Sequence, residues 1–163
     1  FKEESGFYRF STNQENLFSN TLIDLQDGVT PSANSVMNFN LFRLGHLNGN
    51  KDYLTYSKTM INNARGIIKD RIIDHLLWLT ISHNYSQKFY EIAISGKNAI
   101  SKAEELLQEY LPNALIVASK KASDLYLLKN RYVEDQTYIY VCVDNTCKFP
   151  VKTVLEASGL LKD

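Results

Sequence analysis

Residues 27–47 read DGVTPSANSVMNFNLFRLGHL, a run of small and polar residues set directly before an apolar one. Thr30 has the side chain of an N-cap, and Pro31 after it suits the first helical position, where its fixed φ helps and its missing N–H costs nothing. The stretch therefore starts a helix that runs to about His46. Met37, Leu41 and Leu44 fall on one stripe of that helix, while Phe39 and Phe42 lie on nearly the opposite side. A helix apolar on several sides is covered by neighbours, so this one is expected in an inner layer.

C-terminal to it, LNGN supplies a break. Tyr53, Ser57, Met60, Ile61, Ala64 and Ile68 then recur at helical spacing and predict an amphipathic outer helix. A third helix is expected over about Asp70 to Asn84, with Ile73, Leu76, Leu77, Thr80 and Ile81 on one side and Trp78 elsewhere. Short turns between the three imply antiparallel hairpins. On the N-terminal side, residues 1–30 read as a packed loop, in which FYRF is aromatic and QENLFSNTLIDL has the makings of a short helix.

The pattern changes after Tyr85. KFYEIAISG is rich in strand formers and ends at Gly96; residues 98–110 place Ile100, Ala103, Leu106, Leu107 and Tyr110 on one helical face; ALIVAS is a second strand. Together they predict a βαβ unit with a parallel, right-handed pair. DLYLL is expected to add a short strand and TYIYVCVD a longer one, and VKTVLEASGLL closes the chain as a helix. The fold class is α+β, mainly α, with a helical part over 1–85 and an α/β part over 86–163.

Composition narrows the function classes. Lys and Arg number 18, as do Asp and Glu, and no long block of one sign occurs, which disfavours a nucleic-acid groove or an anionic membrane surface. No apolar run reaches the roughly 18 residues that span a bilayer, and a cytoplasmic setting is the expectation. The chain opens on FKEESGFYRF, without Met, and reads as a fragment of a longer protein.

GFYRFSTNQENLF, DGVTPSANSVMNFNLFRLGHL and TYIYVCVDNTCKFP, in that order, resemble the C-terminal third of the thioredoxin-domain-containing proteins of the YyaL and spermatogenesis-associated thioredoxin-like group. The family pattern is usually an acidic residue and Gly, then Pro-Ser-Gly-Asn-Ser, and this chain has Ala33 where Gly is usual. The resemblance implies that a thioredoxin-like domain and earlier helical hairpins lie upstream, and that the helical part is the last of a six-hairpin (α/α) toroid similar to N-acylglucosamine 2-epimerases. The redox motif of such a domain lies upstream and is not carried over to these residues.

Asp27, Thr30, Ser32, Asn34 and Ser35 gather hydroxyls, an amide and a carboxylate at a helix N-terminus, whose free N–H groups suit polar ligands. With the resemblance, they become candidate ligands for a carbohydrate-like molecule at a toroid mouth. The structural alternative is that Thr30 or Ser32 caps the helix, Asp27 closes a turn with Gly28, and Asn34 satisfies loop carbonyls. Phe7, Tyr8 and Phe10 either stack on a sugar or pack in the core. Cys142 and Cys147 are the only cysteines and cannot complete a zinc site with the scattered His46, His75 and His83. They read as two packed thiols or a structural bridge. No metal and no cofactor are expected, GKNAIS reads as an ordinary βα turn, and no catalytic residue is assigned. Two functions stay open: an epimerase- or glycosidase-like parent whose cavity these residues line, with the fragment alone inactive, and a non-catalytic scaffold that docks the upstream domains of the same polypeptide or a partner protein.

Overall fold

Ser32, and not Thr30, starts the first helix. In a computed structural model that describes residues 3–9, 23–144 and 146–161, α1 spans Ala33–Asn48. The Ser32 carbonyl accepts the first helical bond, from Val36 N–H at 3.0 Å, and its Oγ accepts Ser35 N–H at 3.1 Å. The start is displaced by Asp27: its Oδ1 accepts Ser32 N–H at 2.9 Å and so holds Ser32 outside the helix. The helix ends at Gly49, in the left-handed region at φ 64°. There Asn50 N–H reaches the Gly45 carbonyl at 2.8 Å, and Gly49 N–H reaches that of His46 at 3.4 Å. These two bonds make a Schellman end, which explains the LNGN break.

The buried face of α1 differs from the expected one. It carries Asn34, Ser35, Asn38, Leu41, Phe42 and Gly45, whereas Met37 and Leu44 are exposed. The apolar stripe misled because amides and hydroxyls bury readily when tertiary hydrogen bonds satisfy them. The second helix, α2 (Lys51–Asp70), buries Ser57, Met60, Ile61, Ala64 and Ile68, the predicted stripe without Tyr53. Asn50 caps it, its side chain accepting Asp52 and Tyr53 N–H.

The third predicted helix is divided. A 3₁₀ turn, Ile72–Asp74, precedes α3, Leu76–Ser86. The break rotates the face: Trp78, Ile81 and Asn84 are buried, while Ile73 and Leu76 are exposed. Trp78 goes inward because its Nε1–H has a buried-side acceptor, the Leu25 carbonyl at 2.9 Å. Phe7 meets its ring edge-on at 6.1 Å. The Phe42 ring packs edge-on against Tyr85 at 4.9 Å.

The α/β part is a four-stranded mixed sheet of order β2-β1-β3-β4, with β1 Tyr90–Ser95, β2 Ala114–Ser119, β3 Tyr138–Val143 and β4 Thr146–Cys147. β1 and β2 run parallel in register Tyr90 to Ala114, joined by α4, Ala99–Leu106. β3 is antiparallel to β1. One sheet face, built from Tyr90, Ile92, Ile94, Ile139 and Val141, packs with Ala103 and Leu106 of α4 and Val154 and Ala157 of α5 (Val154–Leu160). All six β1 residues are buried, as fits a central strand. Gly96 ends β1 at φ 128°, and a side chain there would run into the Gln136 carbonyl.

Two expectations need correction here, and one strand went unforeseen. DLYLL is not a strand but a turn, closed by Leu128 N–H and Lys129 N–H on the Leu125 carbonyl, both at 2.8 Å. Leu127 and Leu128 are buried by that turn, which is why the segment is apolar. α4 stops at Leu106, leaving Leu107 and Tyr110 exposed rather than on its core face. The two-residue β4 has no apolar pattern to announce it.

Two compact units result, Phe1–Gly45 with Asn50–Ser86, and His46–Gly49 with Gln87–Asp163. The class is α+β, mainly α. Among the described residues no helix is long and apolar enough to cross a membrane.

Candidate functional site

The turn that opens α1 is held by one carboxylate. Asp27, 8% exposed, accepts on Oδ1 from Ser32 N–H at 2.9 Å and from Ser35 Oγ–H at 2.6 Å. Its Oδ2 accepts from Leu77 N–H at 2.9 Å, one of the free amides at the start of α3. An anion at a helix N-terminus is favourable on both hydrogen-bonding and dipole grounds. Asp27 thus ties the head of α1 to the head of α3, and its own backbone N–H donates to the Asp74 carbonyl at 2.7 Å.

Asn34, one residue into α1 and 1% exposed, makes the second tie. Its Oδ1 accepts Tyr8 N–H at 2.7 Å, and its Nδ2 donates to the Tyr8 and Asp24 carbonyls, each at 2.9 Å. One amide therefore fixes two loop segments against the helix, as an extra strand would. Of the five candidate ligands, Asp27, Ser32, Asn34 and Ser35 lie buried at one place, and Thr30 is exposed. Gly28 and Thr30 close a small turn, with Gly28 N–H on the Thr30 carbonyl at 2.9 Å. Of the aromatics, Phe7 is core, Tyr8 contributes its backbone, and Phe10 lies outside the described residues.

One turn further along α1, Asn38 is wholly buried, yet neither its Oδ1 nor its Nδ2 has a partner among the described residues. The sequence offered one signal for these residues: Asn34, Asn38, Leu41 and Gly45 follow helical spacing, which aligns them on one face.

Near the Asp27 tie lies a cavity of about 460 Å³ bordered by Leu25, Gln26, Ile67, Arg71, Asp74 and His75. Arg71 Nε pairs with Asp74 Oδ2 at 2.7 Å, and Gln26 Nε2 donates to the same oxygen at 3.2 Å. His75, 3% exposed, meets the Arg71 carbonyl through Nδ1 at 2.8 Å. Ile67 at this cavity is exposed, and so, in the neighbouring segment of the chain, are Ile72, Ile73 and Leu76, Ile73 at 72%. His83 is exposed on α3. No group of three or more His, Cys, Asp or Glu among the described residues is placed to hold a metal ion.

In the α/β part, Cys142 and Cys147 are joined as a disulfide. Arg131 lies against it, and burial pulls the guanidinium below its ordinary pKa. Burial likewise raises the Tyr140 phenol, opposed by the neighbouring Arg131 charge. His46 Nδ1 meets Glu91 Oε1 at 2.8 Å.

Three curated proteins are similar to this chain, all named spermatogenesis-associated protein 20. The human protein is 26% identical, the rat protein 28% and the mouse protein 26%, each match covering 86% of this chain. The chain spans only about 19% of the length of these relatives. No family model and no solved structure matches it.

Proposed function

We propose that this chain belongs to the family of spermatogenesis-associated protein 20 and is a non-catalytic packing module of a longer, thioredoxin-domain-containing protein. The observation that carries this reading is the closure of the polar cluster at residues 27–35. Asp27 spends both carboxylate oxygens, and Asn34 both amide atoms, on bonds within the chain. A carbohydrate-like ligand needs those same donors and acceptors, and its binding has to break the ties that position α1 and α3. The exposed Ile67, Ile72, Ile73 and Leu76 suit a second role, docking other parts of the longer polypeptide or a partner protein. On this reading the helical hairpins are the closing part of an (α/α) toroid whose remainder the longer protein supplies.

The test combines stability with ligand binding. Asn34→Ala strands two part-buried carbonyls and one N–H, so it is expected to lower the unfolding free energy by about 2–3 kcal/mol. A thermal-shift screen of the unmodified full-length protein against mono- and disaccharides is expected to show no stabilisation. A sugar that raises the melting temperature, and loses this effect in an Asn34→Ala variant of unchanged stability, establishes the carbohydrate-binding reading instead.

A further inference from the structure

The Cys142–Cys147 bridge joins directly opposed residues of β3 and β4. β4 forms the edge of the sheet, and its Cys147 is exposed, whereas Cys142 is only 1% exposed. With a sequence separation of 5, the bridge closes a short loop, and short loops gain least from a cross-link. A staple is therefore a weak account of two cysteines facing each other at this edge.

The surroundings give a better one. Arg131 directs one guanidinium nitrogen at each sulfur, Nη1 at 3.5 Å from Cys142 Sγ and Nη2 at 3.3 Å from Cys147 Sγ. It is fixed there by its stack on the Tyr140 ring, 5.1 Å from the centroid, and by Tyr140 Oη–H donating to its carbonyl at 3.2 Å. A neutral disulfide is a poor acceptor for a half-buried cation; a thiolate is a strong one. Arg131 thus gains its best sulfur partner only when the bridge opens. Beneath it, Glu91 stands opposite Cys142 in the ladder, 3% exposed, with His46 at 2.8 Å. The charged and titratable groups around the bridge include Arg131, Glu91, which His46 meets, and Tyr140, and Lys88 and Lys148 line the same recess as Cys147.

We propose that Cys142–Cys147 is a thiol–disulfide exchange site for a dithiol, with Cys147 as the sulfur attacked and Arg131 as the cation that stabilises the departing Cys142 thiolate. A thiolate of the dithiol bonds to Cys147 Sγ, the Cys142–Cys147 bond breaks, and its electron pair leaves on Cys142. The second thiolate of the reagent then attacks the reagent's own sulfur in the mixed disulfide, closing a cyclic disulfide and releasing Cys147. The dithiol loses two electrons, the protein gains two, and the two thiol protons pass through solvent to the cysteines. The reverse sequence reoxidises the pair.

Native reduction by dithiothreitol, followed by alkylation and mass measurement with far-UV circular dichroism in parallel, tests this. The wild-type bridge is expected to open without loss of helix or sheet signal and to re-form in oxidised glutathione. Arg131→Gln is expected to slow opening by about tenfold through the poorer leaving thiolate, and Arg131→Lys to recover part of the rate. Cys142→Ser is expected to trap a mixed disulfide with glutathione on Cys147, faster than Cys147→Ser does on Cys142. A bridge that opens only on unfolding, equal rates in wild type and Arg131→Gln, or trapping that favours Cys142 overturns the proposal. Should Arg131→Gln not fold, the wild-type and trapping measurements decide it alone.

Discussion

Asn34 and Asn38 are chemically identical, one turn apart, and both buried, but their energetics are opposite. Asn34 fills its valences with the backbone of Tyr8 and Asp24, so it compensates for its desolvation and fixes two loops. Asn38 has no protein partner for either amide atom among the described residues, so its burial costs free energy without return. Replacing it by the similarly sized Leu is therefore expected to stabilise the protein, by about 1–2 kcal/mol in chemical denaturation. A marked loss of stability in Asn38→Leu instead shows that the amide is satisfied in solution, by water or by another part of the longer chain. The sequence announced that polar residues gather before and within α1, but not which of them are satisfied. The partners of Asn34 are 26 and 10 residues away along the chain, and no local pattern encodes them.

Elements whose burial follows side-chain type alone were readable in advance. α2 has aliphatic residues at helical spacing, and β1 and β2 have β-branched runs bounded by turns, so their positions follow from the letters. α3 was not readable, because the 3₁₀ turn over Ile72–Asp74 shifts its phase and turns Trp78 inward. α5 has a boundary set by chemistry: Thr153 Oγ1 accepts Glu156 N–H at 3.2 Å, and Glu156 Oε2 accepts Thr153 N–H at 3.0 Å. The Thr153 hydroxyl, donating to Glu156 Oε2 at 2.7 Å, and then the Thr153 and Lys152 N–H groups hold the Glu156 carboxyl below its ordinary pKa of 4.5. A lowered folded pKa means that the carboxylate's contribution is full above the unfolded value and fades as pH falls through the folded one. Thr153→Ala is expected to cost about 1 kcal/mol at neutral pH, and Glu156→Gln to flatten the acid limb of the stability curve below pH 4.5. An acid limb unchanged in Glu156→Gln contradicts this role for the box.

At the scale of the whole molecule, each compact unit has its own core, and the helical one leaves Ile67, Ile72, Ile73 and Leu76 in water. The relatives are about five times longer, by the 19% share, and on the proposed reading further segments of a longer polypeptide cover these residues. The isolated chain is then expected to self-associate in sedimentation velocity, and Ile72→Lys with Ile73→Lys to return it to monomer with its melting temperature within a few degrees of wild type. A wild-type chain that stays monomeric at high concentration removes the docking role. The central claim, that residues 27–35 form a closed internal tie, is tested most directly by native-state hydrogen exchange at Tyr8, Ser32, Ser35 and Leu77. Their N–H groups donate to Asn34, Asp27, Ser32 and Asp27 respectively. If the tie is structural, these four amides are protected to nearly the level of the α2 core and lose protection together in Asp27→Ala. Exchange at the rate of an open loop in the unmodified protein contradicts the account, since it leaves the polar groups free to receive a ligand.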